Sequence, residues 1–103
     1  MIKFLKKFTL KIIWSKNDIG IAIDHIVKQG YSPLSSYFFW PYNDAWTQIK
    51  KELESKPWIS ETDKIDLLNQ TTLIINYWQE NKKNISIDQV TRLFPELIFC
   101  GYY

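Results

Sequence analysis

Four prolines, Pro33, Pro41, Pro57 and Pro95, partition this chain more firmly than any other feature. Proline lacks a backbone donor, fixes φ and pushes the residue before it out of the helical region, so helices stop at or ahead of it. The proline-free span between Pro57 and Pro95 is long enough to hold an extended helix. Ser60 with Asp63 reads as a capping box opening one, with Ile65, Leu68, Ile75 and Trp78 as its buried stripe and Asn81 or Asn84 as its stop. At about 22 residues it would span roughly 33 Å. Ser86 with Gln89 repeats the capping pattern ahead of Ile87, Val90 and Phe94, and Pro95 ends that helix. Upstream, Asn43 is placed to cap a helix carrying Trp46, Ile49 and Leu53 that ends in the turn before Pro57.

The first forty residues are less sharply marked. Phe8 to Trp14 is rich in aromatic and β-branched residues and loosely alternating, which predicts a strand with Lys11 facing solvent, followed by a polar turn at Ser15 to Asp18. Ile19 to Val27 reads two ways. Ile19, Ile21 and Ile23 alternate as in a strand, whereas Ile19, Ala22, Ile23, Ile26 and Val27 make a helical stripe with Asn17 or Asp18 as cap and Gly30 as stop; helix is the favoured reading. Ser35 to Trp40 can pair as a short strand, and Leu97 to Cys100 is apolar enough for a last one. At 103 residues, with 46% apolar and 23% charged residues, the chain fits one globular core. The expected fold class is α+β, a small single domain, mainly helical with a short strand pairing.

Chemistry-bearing residues are few. Cys100 is the only cysteine, which excludes an internal disulfide and any multi-cysteine zinc site. His25 is the only histidine, and neither it nor Cys100 lies in a nucleophile motif, so His25 reads as a surface or half-buried structural residue and Cys100 as a buried structural thiol. Asp63 and Asp66 fall at a helical spacing, but in a first turn, where the helix dipole already favours carboxylates. The three glycines are scattered and form no phosphate-cradling loop. No catalytic residue, metal site or cofactor is expected, and no small-molecule substrate. No apolar run approaches the ~20 residues of a membrane span, so no membrane partner is expected either. The basic, apolar start lacks a secretory cleavage site and the Ser and Arg richness of a transit peptide.

Two patterns point to a binding role. Six lysines stand against Asp18 and Asp24 in the first 28 residues, although the whole chain carries only +2. Lys3, Lys6, Lys7 and Lys11 alternate there with Ile2, Phe4, Leu5 and Phe8, which suits ammonium groups laid on RNA phosphates; four such contacts would give a log–log salt slope of about −3 to −4. A net charge this small makes any such contact local. The second pattern is aromatic: 17% of the residues are Phe, Trp or Tyr, crowded between Tyr37 and Trp46 with Trp58 close by. Most should pack internally, and Tyr37, Trp40, Trp46 and Trp58 are the candidates for a protein interface. The Tyr37–Trp46 run itself contains no Lys or Arg, whereas single-strand stacking platforms mix aromatics with cations.

The segment SPLSSYFFWPYNDAWTQIKKELESKPWIS from Ser32 to Ser60, with LLNQTTLIINYWQE at Leu67 to Glu80, FPELIFCG at Phe94 to Gly101 and the opening FTLKIIW at Phe8 to Trp14, resembles the plastid-specific ribosomal protein 3 family of cyanobacteria and plastids. The resemblance makes residues 8–101 the family core and residues 1–7 a basic extension. It implies a structural, non-catalytic component of the chloroplast-type small ribosomal subunit, with small-subunit rRNA and other small-subunit ribosomal proteins as partners. A ribosome-associated translation regulator or assembly factor, acting as a protein-interaction module, is the alternative. The family carries no residue-level RNA motif to transfer. Land-plant members carry a transit peptide, whereas this chain starts seven residues ahead of the shared region. Twelve lysines against one arginine, with fifteen isoleucines, further suit an AT-rich genome. A plastid-encoded protein of the chloroplast stroma is therefore expected, with the cyanobacterial cytoplasm as the alternative.

Overall fold

The nine residues from Ile19 to Val27 form a strand, not the helix favoured by their periodicity. Helix there would place Gly20 and four β-branched isoleucines in a segment where each lowers helical stability. Strand instead puts Ile19, Ile21 and Ile23 opposite Trp14, Ile12 and Leu10 on one buried face. Pairing and packing decide between two patterns that local preference leaves open.

The computed structural model describes residues 7–82 and 85–102. Along them run β1 (Phe8–Trp14), β2 (Ile19–Val27), β3 (Gly30–Pro33), β4 (Phe38–Trp40), α1 (Ala45–Glu54), α2 (Glu61–Asn81), α3 (Ile87–Leu93) and β5 (Ile98–Tyr102). β1 and β2 form an antiparallel hairpin at the centre of the sheet, and β5 returns parallel to β1 on its other side. The far edge of β2 is covered in two pieces, its first half by β4 and its second by β3. Between those pieces Ile23 keeps its backbone satisfied, accepting from Leu34 N at 2.9 Å and donating to Ser35 Oγ at 2.9 Å. The α+β class holds, but the protein is not mainly helical: a curled five-stranded sheet replaces the expected short pairing, because β2 as a strand supplies an edge to β1, β3 and β4 alike.

Helices α1 and α2 pack on the sheet face built from Phe8, Leu10, Ile12, Trp14, Ile19, Ile21 and Ile23. Helix α2 starts where the capping pattern placed it, with Ser60 Oγ accepting from Asp63 N at 3.1 Å. Its buried face is Leu67, Thr71, Ile74, Ile75 and Trp78, so the expected stripe is rotated and Ile65 stands 58% exposed. The rotation is possible because Thr71 spends its hydroxyl on Leu67 O at 2.8 Å and so enters the core with no unmet polar atom. Trp78 is anchored by donation from Nε1 to Ser15 O at 2.7 Å, tying α2 to the β1–β2 turn. Each fully buried apolar side chain of this face contributes roughly 1.5–3 kcal/mol. Helix α1 is capped by Asp44 in a left-handed conformation, one residue after the expected Asn43, and its carboxylate accepts from Thr47 Oγ1 at 2.8 Å. Helix α3 has the expected capping box, Ser86 Oγ accepting from Gln89 N at 3.2 Å and Gln89 Oε1 from Ser86 N at 3.0 Å.

The opposite sheet face is partly polar. Lys11, expected to face solvent, is drawn down onto Asp24, with Nζ 3.0 Å from Oδ1; the lysine side chain is 20% exposed and the aspartate 3%. Asp24 lies opposite Thr9 in the register, so Lys11 reaches it diagonally across the hairpin. The Tyr37 ring lies 5.5 Å from the same ammonium.

Candidate nucleic-acid interface

In the antiparallel register of β1 and β2, Phe8 falls directly opposite His25. The pairing stacks their rings with centroids 5.1 Å apart and planes 22° from parallel. Trp58, in the connection from α1 to α2, closes against both at 5.9 Å, tilted by 46° to Phe8 and 51° to His25. Its neighbour Ile59 is buried in the core and donates its N–H to Lys56 O at 3.0 Å, which holds the connection in place while the Trp58 ring stays 58% exposed. Lys7 precedes β1 and is exposed, yet its carbonyl accepts from Ile26 N at 2.7 Å and continues the ladder by one residue. With Ser60 and Asp63 from the start of α2, these residues line a cleft of about 320 Å³.

The candidate residues therefore separate into distinct places. Lys7 and Trp58 come together in the cleft. Lys11 is held by Asp24 on the other sheet face. Lys3 and Lys6 lie outside the described residues. Trp40 and Trp46 line a second groove of about 270 Å³ with Thr72, Ile75, Asn76 and Gln79, and Trp46 Nε1 donates to Thr72 Oγ1 at 2.9 Å. Tyr37 belongs to neither groove. Burial, a hydrogen bond with Cys100 and the negative charge of nearby Asp24 push its phenol well above the ordinary tyrosine value of 10.0. Phe8 and His25 line the cleft although the sequence marks them only as part of the basic segment and as a structural histidine; a hairpin reading of residues 8–27 places them side by side.

The two residues that a nucleophilic site would require are not assembled. His25 sits opposite Phe8 at one end of β1, while Cys100 lies in β5 where the parallel register slips between Ile12 and Ile13, and its thiol is exposed rather than buried as expected. Four to five residues of strand separate these levels, roughly 13–17 Å. Among the described residues no group of three His, Cys, Asp or Glu side chains converges as a metal site, and no helix is long and apolar enough to cross a membrane.

Fold and cleft define a small α+β domain that exposes an aromatic cleft beside a lysine. Residues 34–81 match the family model described as plastid and cyanobacterial ribosomal protein (PSRP-3 / Ycf65). The small ribosomal subunit protein cS23 of Gracilaria tenuistipitata var. liui is 57% identical, over 94% of this chain and 98% of its own length. A Synechococcus protein named "Probable small ribosomal subunit protein cS23" is 50% identical over the same shares, and cS23 of Cyanidium caldarium is 43% identical over 96% of this chain and all of its own length. The chain belongs to the PSRP-3/Ycf65 family, the small ribosomal subunit protein cS23 family of plastid and cyanobacterial ribosomes. Its members are ribosomal proteins and not enzymes.

Proposed function

We propose that this chain is a structural component of the small subunit that grips rRNA backbone with its basic N-terminal edge and meets neighbouring ribosomal proteins through the groove beside Trp40 and Trp46. The observation that carries the reading is the juxtaposition of exposed Lys7 with the Phe8, His25 and Trp58 rings, in a member of a ribosomal protein family. Residues 1–7 act as the basic extension and residues 8–101 as the docking core. Lys3, Lys6 and Lys7 supply the phosphate contacts. Lys11 contributes little, because its ammonium is engaged by Asp24. Three contacts rather than four give a log–log salt slope of about −2 to −3. The groove beside Trp40 and Trp46, with half-buried rings and the amide side chains of Asn76 and Gln79, suits a protein neighbour. The lysine and isoleucine bias of the chain supports a plastid-encoded copy.

Quantitative mass spectrometry across sucrose gradients, at low salt and after a high-salt wash, tests the reading. A component stays near one copy per small subunit in both conditions. Occupancy well below one copy, or loss at high salt, would overturn it in favour of a translation regulator or assembly factor.

A further inference from the structure

The geometry points to the Trp58 cleft as a stacking site for an unpaired guanine of single-stranded RNA, an inference that rests on the RNA-contacting role proposed above. Its three rings cannot admit a base between them. Separations of 5.9 Å fall short of the roughly 7 Å that two stacking intervals of ~3.4 Å need, and the tilts exclude a parallel sandwich. The stacked Phe8–His25 pair instead backs Trp58, leaving an indole that is 58% exposed and buttressed from one side. An indole held in this way offers a π-face already oriented, so a base that stacks on it costs little side-chain entropy.

The two charged residues of the cleft divide the remaining work. Lys7 supplies a cation at the mouth for the phosphate of the same nucleotide, which produces the mixture of aromatic and cation that the Tyr37–Trp46 run lacks. Asp63 is half-buried on the α2 side, and an ionised carboxylate only accepts hydrogen bonds. Guanine presents two adjacent N–H donors on its Watson–Crick edge, a match for the two carboxylate oxygens. Uracil presents one donor flanked by two carbonyl oxygens, which the carboxylate repels. The cleft volume of about 320 Å³ lies at the low end of small-ligand pockets, roughly 300–1,000 Å³, and suits a single base rather than a duplex.

Binding of the full chain to the pentaribonucleotides UUGUU and UUUUU, followed by quenching of tryptophan fluorescence and by the His25 ring resonances, tests the assignment. UUGUU should bind at least 10-fold more tightly than UUUUU. Trp58→Ala should weaken UUGUU binding about 5- to 100-fold, the range for loss of one aromatic stacking partner, while Trp58→Phe retains most of the affinity. Asp63→Asn should narrow the preference for guanine, and Lys7→Ala should weaken both RNAs equally. Circular dichroism of each variant confirms that it is folded. Equal affinity of the wild type and Trp58→Ala for UUGUU, equal affinity of the wild type for both RNAs, or no binding of either overturns the stacking site. Gradient sedimentation of the same variants separates the two levels: a wild type that co-sediments with small subunits but fails these tests loses the guanine site and keeps its place as a component. If Trp58→Ala leaves the subunit while its RNA affinity is unchanged, the cleft receives a protein and the inference falls.

Discussion

Replacing Lys11 by Met removes one charge and keeps nearly all of the side-chain volume, so it isolates the ammonium that holds Asp24. Asp24 is 2% exposed, and its Oδ1 lies 3.0 Å from Lys11 Nζ. Breaking a buried pair from one side costs about 3–5 kcal/mol; the Lys11 side chain is 20% exposed, which allows some solvent access and places the expectation near the lower end, about 3 kcal/mol. For a domain of this length, with an unfolding entropy near ~2.1 cal/mol/K per residue, that corresponds to a fall in Tm of roughly 14 °C. The double variant Lys11→Met with Asp24→Leu, which removes both charges, should recover most of the loss. Thermal unfolding followed by circular dichroism reads both variants, and RNA titration at a temperature where each remains folded reads function. Affinity should be unchanged in the double variant. A loss below about 1 kcal/mol for Lys11→Met, or a folded double variant with a clearly smaller salt slope, would refute the assignment of Lys11 to the fold rather than to phosphate.

Tyr37 provides a test by pH. Its folded pKa is raised by burial, by the hydrogen bond with Cys100 and by the charge of Asp24, so above pH 10.0 the unfolded chain releases this proton while the folded protein keeps it. Stability from this group is complete below that pH and declines as pH rises toward the folded value; denaturant midpoints measured from pH 9 to 11.5 should fall more steeply for the wild type than for Tyr37→Phe, and parallel curves would exclude the coupling. Gly20 faces Phe39 across the β2–β4 pair, and a Cβ there would stand 2.7 Å from Phe39 Cε1 and 3.1 Å from Cζ. Displacing the ring should cost about 1–3 kcal/mol, partly offset by the ~0.4–1 kcal/mol that Gly→Ala gains through the unfolded chain. Thermal melting should show Gly20→Ala several degrees lower, and an unchanged or raised Tm would mean that the ring moves aside freely.

Elements whose ends are marked by local chemistry were legible in the sequence. Ser86 and Gln89 cap α3 as their spacing requires, Ser60 opens α2, and the aromatic and β-branched run from Phe8 to Trp14 is β1 with the expected ends. The buried face of α2 was misread because Thr71 counts as polar in a pattern but is fully buried with its hydroxyl bonded to Leu67 O; Ile65, apolar by composition, was left outside. The candidate site was hidden by the single misreading at β2. Lys7 and Trp58 were each visible, one as a cation and one as a ring outside the main aromatic run, but nothing local relates them. Once Ser15 to Asp18 is taken as the turn of a hairpin, the register sets Trp14 against Ile19 and Phe8 against His25. That pairing carries the only histidine to the end of the sheet where the basic segment joins. A helix over the same residues would have no such register, so the choice of strand for Ile19 to Val27 decides both the architecture of the core and where cations and aromatics meet.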